Sequence, residues 1–391
     1  MAMDAKQRVK ARFKKRYYFD FELLTIVCFL LAFGLVMLLS TSNYEATITF
    51  HNPYYYFKKQ VISMAFGLVL FFILTFTKDY HILYKKFILL SYVASNAVLF
   101  LVKTSLAYSA NGATRWIRIF GLSVQPSELT KFGMIVFLAG FISKIGKKIS
   151  TRNGLMLTSV LVLIPVFLVY KVTRNLSTAI IIAGIAYVML FIACEKKFPF
   201  IALVVIVVVM AVGLVVYAKA NINGNLDFRM LRILAWLDPQ AYASTKGQQI
   251  LQSLYAIGSG GLFGKGLGES VQKLGPLPEA QNDMIFAIIC EELGFFGAAV
   301  VLIMFMILIW RLKKIADSAP DMFGALLVIG VMAHISIQVM LNLAVVTNTI
   351  PNTGITLPFI SYGGSAIAIQ LAELGIASNV ARFTPVYDDR R

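Results

Sequence analysis

Four groups of residues in this chain combine types and spacings that can do chemistry. The first is Asp283 in LPEAQNDMIFAIICEELG, where a polar stretch gives way to an apolar run, with Glu291 and Glu292 about two turns further on. A carboxylate there can take a proton from a hydroxyl as a general base. It can equally be a helix-start acid favoured by the helix dipole. The second is Glu128 and Lys131 in QPSELTKFG, three apart and so able to pair on one helix face, either in a site or as a simple pin between helices. The third comprises Arg115 and Arg118 in NGATRWIRIFGL and Arg229 and Arg232 in FRMLRILAWLDP, with Trp116 and Trp236 close by. Guanidinium groups grip phosphate oxygens in pairs, and Trp beside Arg also serves as a membrane-interface anchor. The fourth is backbone: the Gly-rich GSGGLFGKGLG around Lys265, and the uncharged NTGITLPFISYGGSA.

Other chemistries fail on spacing. A phosphate loop read through GLFGKGLG would put Ser259 at its first Gly and Gly266 at its hydroxyl residue, so ATP binding by that motif is excluded. His51, His81 and His334 are scattered, and Cys28, Cys194 and Cys290 form no CxxC or Cys/His cluster. No catalytic triad, zinc site or disulfide framework is visible.

The elements that must position these residues are apolar. Of 391 residues, 59% are hydrophobic and 14% charged, against roughly a quarter charged in a soluble protein. The apolar residues fall in continuous blocks of about twenty, the length that crosses a bilayer as a helix. The blocks are 21–41, 61–77, 86–103, 128–145, 154–171, 176–194, 198–218, 283–311, 322–346 and 358–381. The expected fold is therefore all-α, a polytopic integral membrane protein with about ten transmembrane helices. An ionisable group inside such a block costs at least about 2.5–3.5 kcal/mol, so each needs a reason.

Basic residues fix the expected orientation. Lys6 to Arg16, Lys78/Lys85/Lys86, Lys144/Lys147/Lys148/Arg152, Lys196/Lys197, Arg311/Lys313/Lys314 and Arg382/Arg390/Arg391 fall on alternate connections and hold most of the 36 Lys and Arg. By the positive-inside bias both termini are cytoplasmic. The formal charge of +17 thus reflects membrane topology, and nucleic-acid binding is not expected. The division of the chain is a basic N-terminus (1–20), a transmembrane domain (21–381) and a short tail (382–391). Residues 219–282 form one long extracytoplasmic loop between helices 7 and 8, and a loop of that length is usually functional.

With these residues in hand, the chain resembles the SEDS family, which includes FtsW, RodA and SpoVE. The resemblance runs from the first span to the last, through NGATRWIRIFGLSVQPSELTK, LDPQAYASTKGQQILQSLYAIGSGGLFGKGLGES, LPEAQNDMIFAIICEELGFFG and NTGITLPFISYGGS. GITLPFISYGG and NGATRWI look more like the FtsW and SpoVE branch. The resemblance implies a peptidoglycan glycosyltransferase that polymerises lipid II, a polyprenyl-diphosphate-linked disaccharide-pentapeptide, at the outer face of the bacterial cytoplasmic membrane. It implies a class B penicillin-binding protein as partner, other division or elongation proteins around it, and a septal location. The family's essential aspartate maps to Asp283. Its QPSExxK motif maps to Gln125, Pro126, Ser127, Glu128 and Lys131, and its ISYGG to Ile360, Ser361, Tyr362, Gly363 and Gly364.

The chain departs from the family twice. Gln281, Asn282 and Met284 replace the usual His, Thr and Phe around the aspartate, and Asn175 stands where a PDxGT-like motif carries Asp.

Under this reading Asp283 is the general base for an inverting transfer that expels undecaprenyl diphosphate. The leaving group needs positive charge more than a proton. Substrate contacts are expected from Arg115, Arg118, Gln125, Ser127, Glu128, Lys131, Lys265, Ser361, Gly363 and Gly364. No cofactor is evident; the diphosphate leaves room for a divalent cation, though no ligand set is visible. Two readings from other classes remain at this stage: a lipid II flippase, and a division scaffold without chemistry of its own.

Overall fold

The computed structural model describes residues 19–81, 87–110, 113–119, 122–220, 228–244 and 247–384. The basic residues before position 19, Lys85, Lys86, Arg390, Arg391 and the side chain of Arg229 lie outside the described residues. Twelve α-helices are described: α1 Phe21–Phe50, α2 Tyr55–Thr75, α3 Ile88–Ala97 with a 3-10 extension Val98–Lys103, α4 Pro126–Ile145, α5 Arg152–Val172, α6 Leu176–Ala193, α7 Phe198–Ala220, α8 Phe228–Leu237, α9 Gly247–Gly260, α10 Ile285–Asp317, α11 Met322–Val346 and α12 Gly364–Arg382.

Eight of these helices are long and apolar enough to cross a membrane: α1, α2, α4, α5, α6, α7, α10 and α11. The chain is a multi-span membrane protein. Of the two other expected spans, α3 with its extension is a shorter apolar helix. Helix α12 has 19 residues, but it carries buried Gln370, Glu373, Ser378 and Asn379 and is buried from Ile367 to Ala381. Its low apolarity follows from packing inside the bundle rather than against lipid. The opposite case is α7, whose side chains are almost all apolar and exposed apart from Phe200 and Ala218. Lipid is as apolar as the protein interior, so helix contacts rely on close approach. A Cβ on Gly34 of α1 would stand 2.5 Å from the Phe359 carbonyl oxygen, and one on Gly375 of α12 would stand 2.6 Å from that of Phe71.

A small antiparallel sheet was not expected in an all-α chain. Strands β1 Ala107–Ala110, β2 Ala113–Ile119 and β3 Leu122–Val124 pair in that order, with Tyr108 opposite Trp116 and Arg118 opposite Ser123. The segment lies between two apolar runs, outside any helix, and satisfies its backbone by pairing with itself. The helices carry the fold, and the sheet marks one end of the bundle. At this sheet end lie the starts of α4, α6, α10 and α12, and the ends of α5 and α11.

The region expected to be a long loop is also structured. It contains α8 and α9, and its Gly-rich part runs alongside α10. Helix α10 breaks at Gly294, whose φ is 65°. There the Lys265 and Gly266 N–H groups donate to the Glu291 and Glu292 carbonyls at 2.9 and 3.0 Å, and the Phe295 and Phe296 N–H groups donate to Gly261 and Leu262 at 2.9 and 3.2 Å. Backbone groups released by the break are thus satisfied inside protein, the condition for irregular chain at membrane depth.

Candidate active site at the sheet end

Asp283 occupies a turn just before α10 and is 6% exposed. Its position is fixed through its backbone: Asn342 Nδ2 of α11 donates to the Asp283 carbonyl and to the Ile355 carbonyl, each at 2.7 Å. Its carboxylate is held by Gln249 of α9, whose Nε2 donates to Oδ1 at 3.2 Å and to the Pro278 carbonyl at 3.3 Å. Gln249 Oε1 in turn accepts from Asn352 Nδ2 at 2.7 Å, which settles which way the amide faces. Gly354, at φ 68°, leaves space beside the acid; a Cβ there would stand 3.9 Å from Oδ2.

Burial pushes the Asp283 carboxyl up from the usual carboxylate range to about 7, and the nearby charge of Glu279 adds to the rise. The hydrogen bond from Gln249 and the charge of Arg232 act in the other direction. A group titrating near neutrality is suited to accept a proton at working pH. Beside it, Asn282 Nδ2 donates to Glu279, and the Tyr362 N–H donates to the Gln281 carbonyl at 2.9 Å. Gln281 Nε2 donates to Glu45 at 2.7 Å, and Met284 is buried. The residues that depart from the family pattern therefore hold the turn in place.

Arg115 and Arg118 separate. Arg115 is the extra residue at a register shift, where Tyr108 pairs with Trp116 but Ser109 pairs with Thr114, so regular strand alternation does not relate it to Arg118. Arg115 donates to the Arg174 carbonyl at 2.9 Å, whereas Arg118 is exposed, 5.0 Å from the centre of the Tyr108 ring. Arg232 donates to the Asn352 carbonyl at 3.2 Å, and Ser177 donates to the Thr353 carbonyl at 2.6 Å. Arg232 thus reaches the stretch that leads to Gly354 and Asp283, while Arg115 is tied to the turn before α6, whose Ser177 holds Thr353. Burial, then the like charge of Arg232, holds the Arg115 guanidinium below its usual value.

Glu128 and Lys131 form a buried pair at 2.7 Å. Lys131 also donates to Gln338 at 3.4 Å, and Gln338 donates to the Thr356 carbonyl at 3.1 Å. Gln338 lies one helical turn from Asn342, so this pair sits directly below the Asp283 turn on the same face of α11. The motif residues around it also contact one another and the last loop. Gln125 donates to Ser127 at 3.0 Å. Gln60 bridges the last loop, donating to the Ser361 carbonyl and accepting from the Gly363 N–H. Gly364 lies against Ser63.

Lys265 is engaged elsewhere, 2.7 Å from Glu291. Ser270 and the backbone of Val271 and Gln272 also donate to Glu291, and Lys273 pairs with Glu292 at 2.6 Å. This cluster fastens the Gly-rich segment to the broken part of α10. Sequence reading missed Gln249, Asn342, Asn352 and Gln338. The second half of α11 carried a signal in Gln338 and Asn342, spaced by four and so on one helix face. Among the described residues, no three His, Cys, Asp or Glu side chains group as metal ligands.

The family described as cell cycle proteins of the FtsW, RodA and SpoVE type matches residues 21–385. This chain belongs to that family. It is 38% identical over 366 residues to stage V sporulation protein E of Bacillus subtilis (strain 168), covering 93% of this chain and 97% of that one. It is 36% identical over 363 residues to a probable peptidoglycan glycosyltransferase FtsW of Trichlorobacter lovleyi, covering 93% of each. Within the family it stands closer to the FtsW and SpoVE branch. A solved chain from a peptidoglycan synthase complex coordinating polymerization and crosslinking superposes with a TM-score of 0.75 at 25% identity, covering 93% of this chain and 98% of that one. The rod shape determining protein RodA of Thermus thermophilus gives 0.64 at 27%, covering 93% and 97%. The fold described above is thus that of FtsW, RodA and SpoVE proteins.

Proposed function

We propose that this protein is a peptidoglycan glycosyltransferase that polymerises lipid II, with Asp283 as its general base. The observation that carries the reading is a buried carboxyl at the sheet end, aimed by Gln249, raised toward neutrality by burial and within reach of the charge of Arg232. Asp283 takes the proton of the acceptor sugar hydroxyl as that oxygen attacks the anomeric carbon of the donor. The bond to the diphosphate breaks, and Arg115 and Arg232 offset the charge that develops on it. Attack opposite the departing group inverts the anomeric centre, so no second catalytic carboxylate is required.

In this reading the sheet end faces outward, ten helices span the membrane, and both termini are cytoplasmic. Basic clusters at Lys144–Arg152, Lys196/Lys197 and Arg311–Lys314 lie at the opposite end of the bundle, as the positive-inside bias requires. The protein works at the septal cytoplasmic membrane with a class B penicillin-binding protein that crosslinks the strand. The test is incubation of the purified chain, alone and with such a partner, with labelled lipid II. Glycan strands support the reading. Transbilayer movement of lipid II without strands would replace it with a flippase.

A further inference from the structure

The end of the bundle opposite Asp283 carries a cationic patch built from two connections far apart in sequence. One is the 3-10 turn Gly146–Ser150 between α4 and α5, with Lys147 and Lys148 on it, Lys144 in the last turn of α4 and Arg152 at the start of α5. The other is the short link from α6 to α7, which carries Lys196. They meet where the Glu195 N–H donates to Ser150 Oγ at 3.0 Å and Cys194 Sγ donates to the Ile149 carbonyl at 3.7 Å. The backbone that bears the cations is locked. Thr151 Oγ1 donates to the Lys148 carbonyl at 2.7 Å and accepts from the Gly154 N–H at 3.2 Å, Ile149 is buried, and a Cβ on Gly154 would stand 2.1 Å from the Lys148 carbonyl oxygen. Lys144, Lys147, Lys148, Arg152 and Lys196 are exposed, and none of their side chains makes a hydrogen bond or ion pair among the described residues. Glu195 is the only Asp or Glu between residues 129 and 226. At the same end of the bundle Arg311 is instead neutralised by Asp20 and Glu22, at 2.9 and 2.5 Å, and Lys314 lies over the Trp310 ring at 3.8 Å.

The positive-inside bias accounts for basic residues at this end. It does not account for their convergence from two connections, or for cations left without a counter-charge among the described residues. We infer that the patch is a binding site for the headgroup of an anionic phospholipid, with the phosphate among Lys147, Lys148 and Lys196. Its place selects a lipid. The cations stand at the ends of α4, α5, α6 and α7, all long and apolar enough to cross a membrane, and so at the level of lipid phosphates. Exposed apolar side chains lead from them onto the spans: Met156 and Leu157 about one turn into α5 from Arg152, Ile192 about one turn before Lys196, and Phe198 just after it. A soluble anion would meet only the cations, whereas a lipid meets both surfaces. Because the backbone is locked, like charges are already gathered before binding, and an anion relieves their repulsion without an ordering cost. This site lies at the far end of the bundle from the transfer chemistry and does not depend on it.

The test is binding to the purified full chain in micelles, read by native mass spectrometry. The probes are phosphatidylglycerol, diphosphatidylglycerol, phosphatidylcholine, inorganic phosphate and a glutamate hexamer. The two anionic lipids are expected to bind about tenfold or more tighter than phosphatidylcholine, and both soluble anions more weakly than either. Lys147→Gln with Lys148→Gln weakens the anionic lipids about tenfold, and Lys196→Gln, on the other connection, weakens them about threefold. Lys313→Gln with Lys314→Gln removes the same charge from the same end and leaves them unchanged, which separates a site from general attraction. Equal affinity for phosphatidylcholine, equal losses in the two double variants, or patch variants that bind the anionic lipids normally would each overturn the proposal. Inorganic phosphate binding as tightly as the lipids would replace it with a free-anion site, and tighter binding of the glutamate hexamer would replace it with a docking site for an acidic segment. No arm needs glycan synthesis, so the result stands apart from the fate of the catalytic reading.

Discussion

Gln249 and Asp283 are joined by a 3.2 Å hydrogen bond across 34 residues, from a helix within the expected long loop to the turn that opens α10. Because Asn352 occupies the Gln249 carbonyl, the amide can only donate to the acid. Donation to the charged form lowers the carboxyl pKa. Gln249→Leu is therefore expected to move the acid limb of the pH–rate profile upward and to reduce the rate at neutral pH. Gln249→Asn, which keeps the donor on a shorter arm, would lose less. A profile unchanged by Gln249→Leu would remove Gln249 from this role.

The raised pKa of Asp283 has two consequences of opposite sign. A base must be ionised, so turnover should rise tenfold per pH unit below about 7 and level off above it. Stability runs the other way. The folded value exceeds the unfolded 3.8, so the contribution of this group is complete below that value and is lost as pH rises through about 7. Asp283→Asn should abolish that loss. Melting temperatures of both proteins between pH 5 and 8 check it.

Lys273 and Glu292 are a buried ion pair shared with Ser40 of α1. Removing one partner strands the other charge. Lys273→Met is expected to destabilise by about 3–5 kcal/mol, and Lys273→Met with Glu292→Gln should recover most of it. Thermal melts in one detergent measure both.

Gly264 meets the break in α10 at φ 77°, and a Cβ there would stand 2.1 Å from the Glu292 carbonyl oxygen. Gly264→Ala is expected to cost about 1–3 kcal/mol or more. Gly258→Ala, in α9 with open space around it, should be neutral or stabilise by about 0.5–1 kcal/mol. The contrast between the two melts isolates the close approach from general effects of the substitution.

Much of this arrangement was legible before the structure, for physical reasons. Bilayer-length apolar runs mark helices in any context, and an acid at the lip of one such run drew attention to Asp283. What stayed hidden depends on tertiary contact. Arg115 and Arg118 read as a pair, but the register shift at Arg115 sets it apart, and it reaches the Arg174 carbonyl while Arg118 lies by the Tyr108 ring. The glycines around Lys265 permit backbone pairing with α10, which brings Lys265 to Glu291, a contact that no spacing in the sequence announces. The last apolar block began at 358, yet α12 starts at Gly364, because the Gln60 bridge to Ser361 and Gly363 holds the preceding chain out of a helix. Gln249 had no signal of its own, since its role exists only once α9 docks beside the Asp283 turn.

The most direct test of the central claim is single-turnover elongation of lipid II by Asp283→Asn, in a protein whose melting temperature matches the parent below pH 6. Loss of a positioned base is expected to slow the chemical step about 10²–10⁴-fold while lipid II binding stays within a few fold. Near-parental elongation by Asp283→Asn would contradict the account.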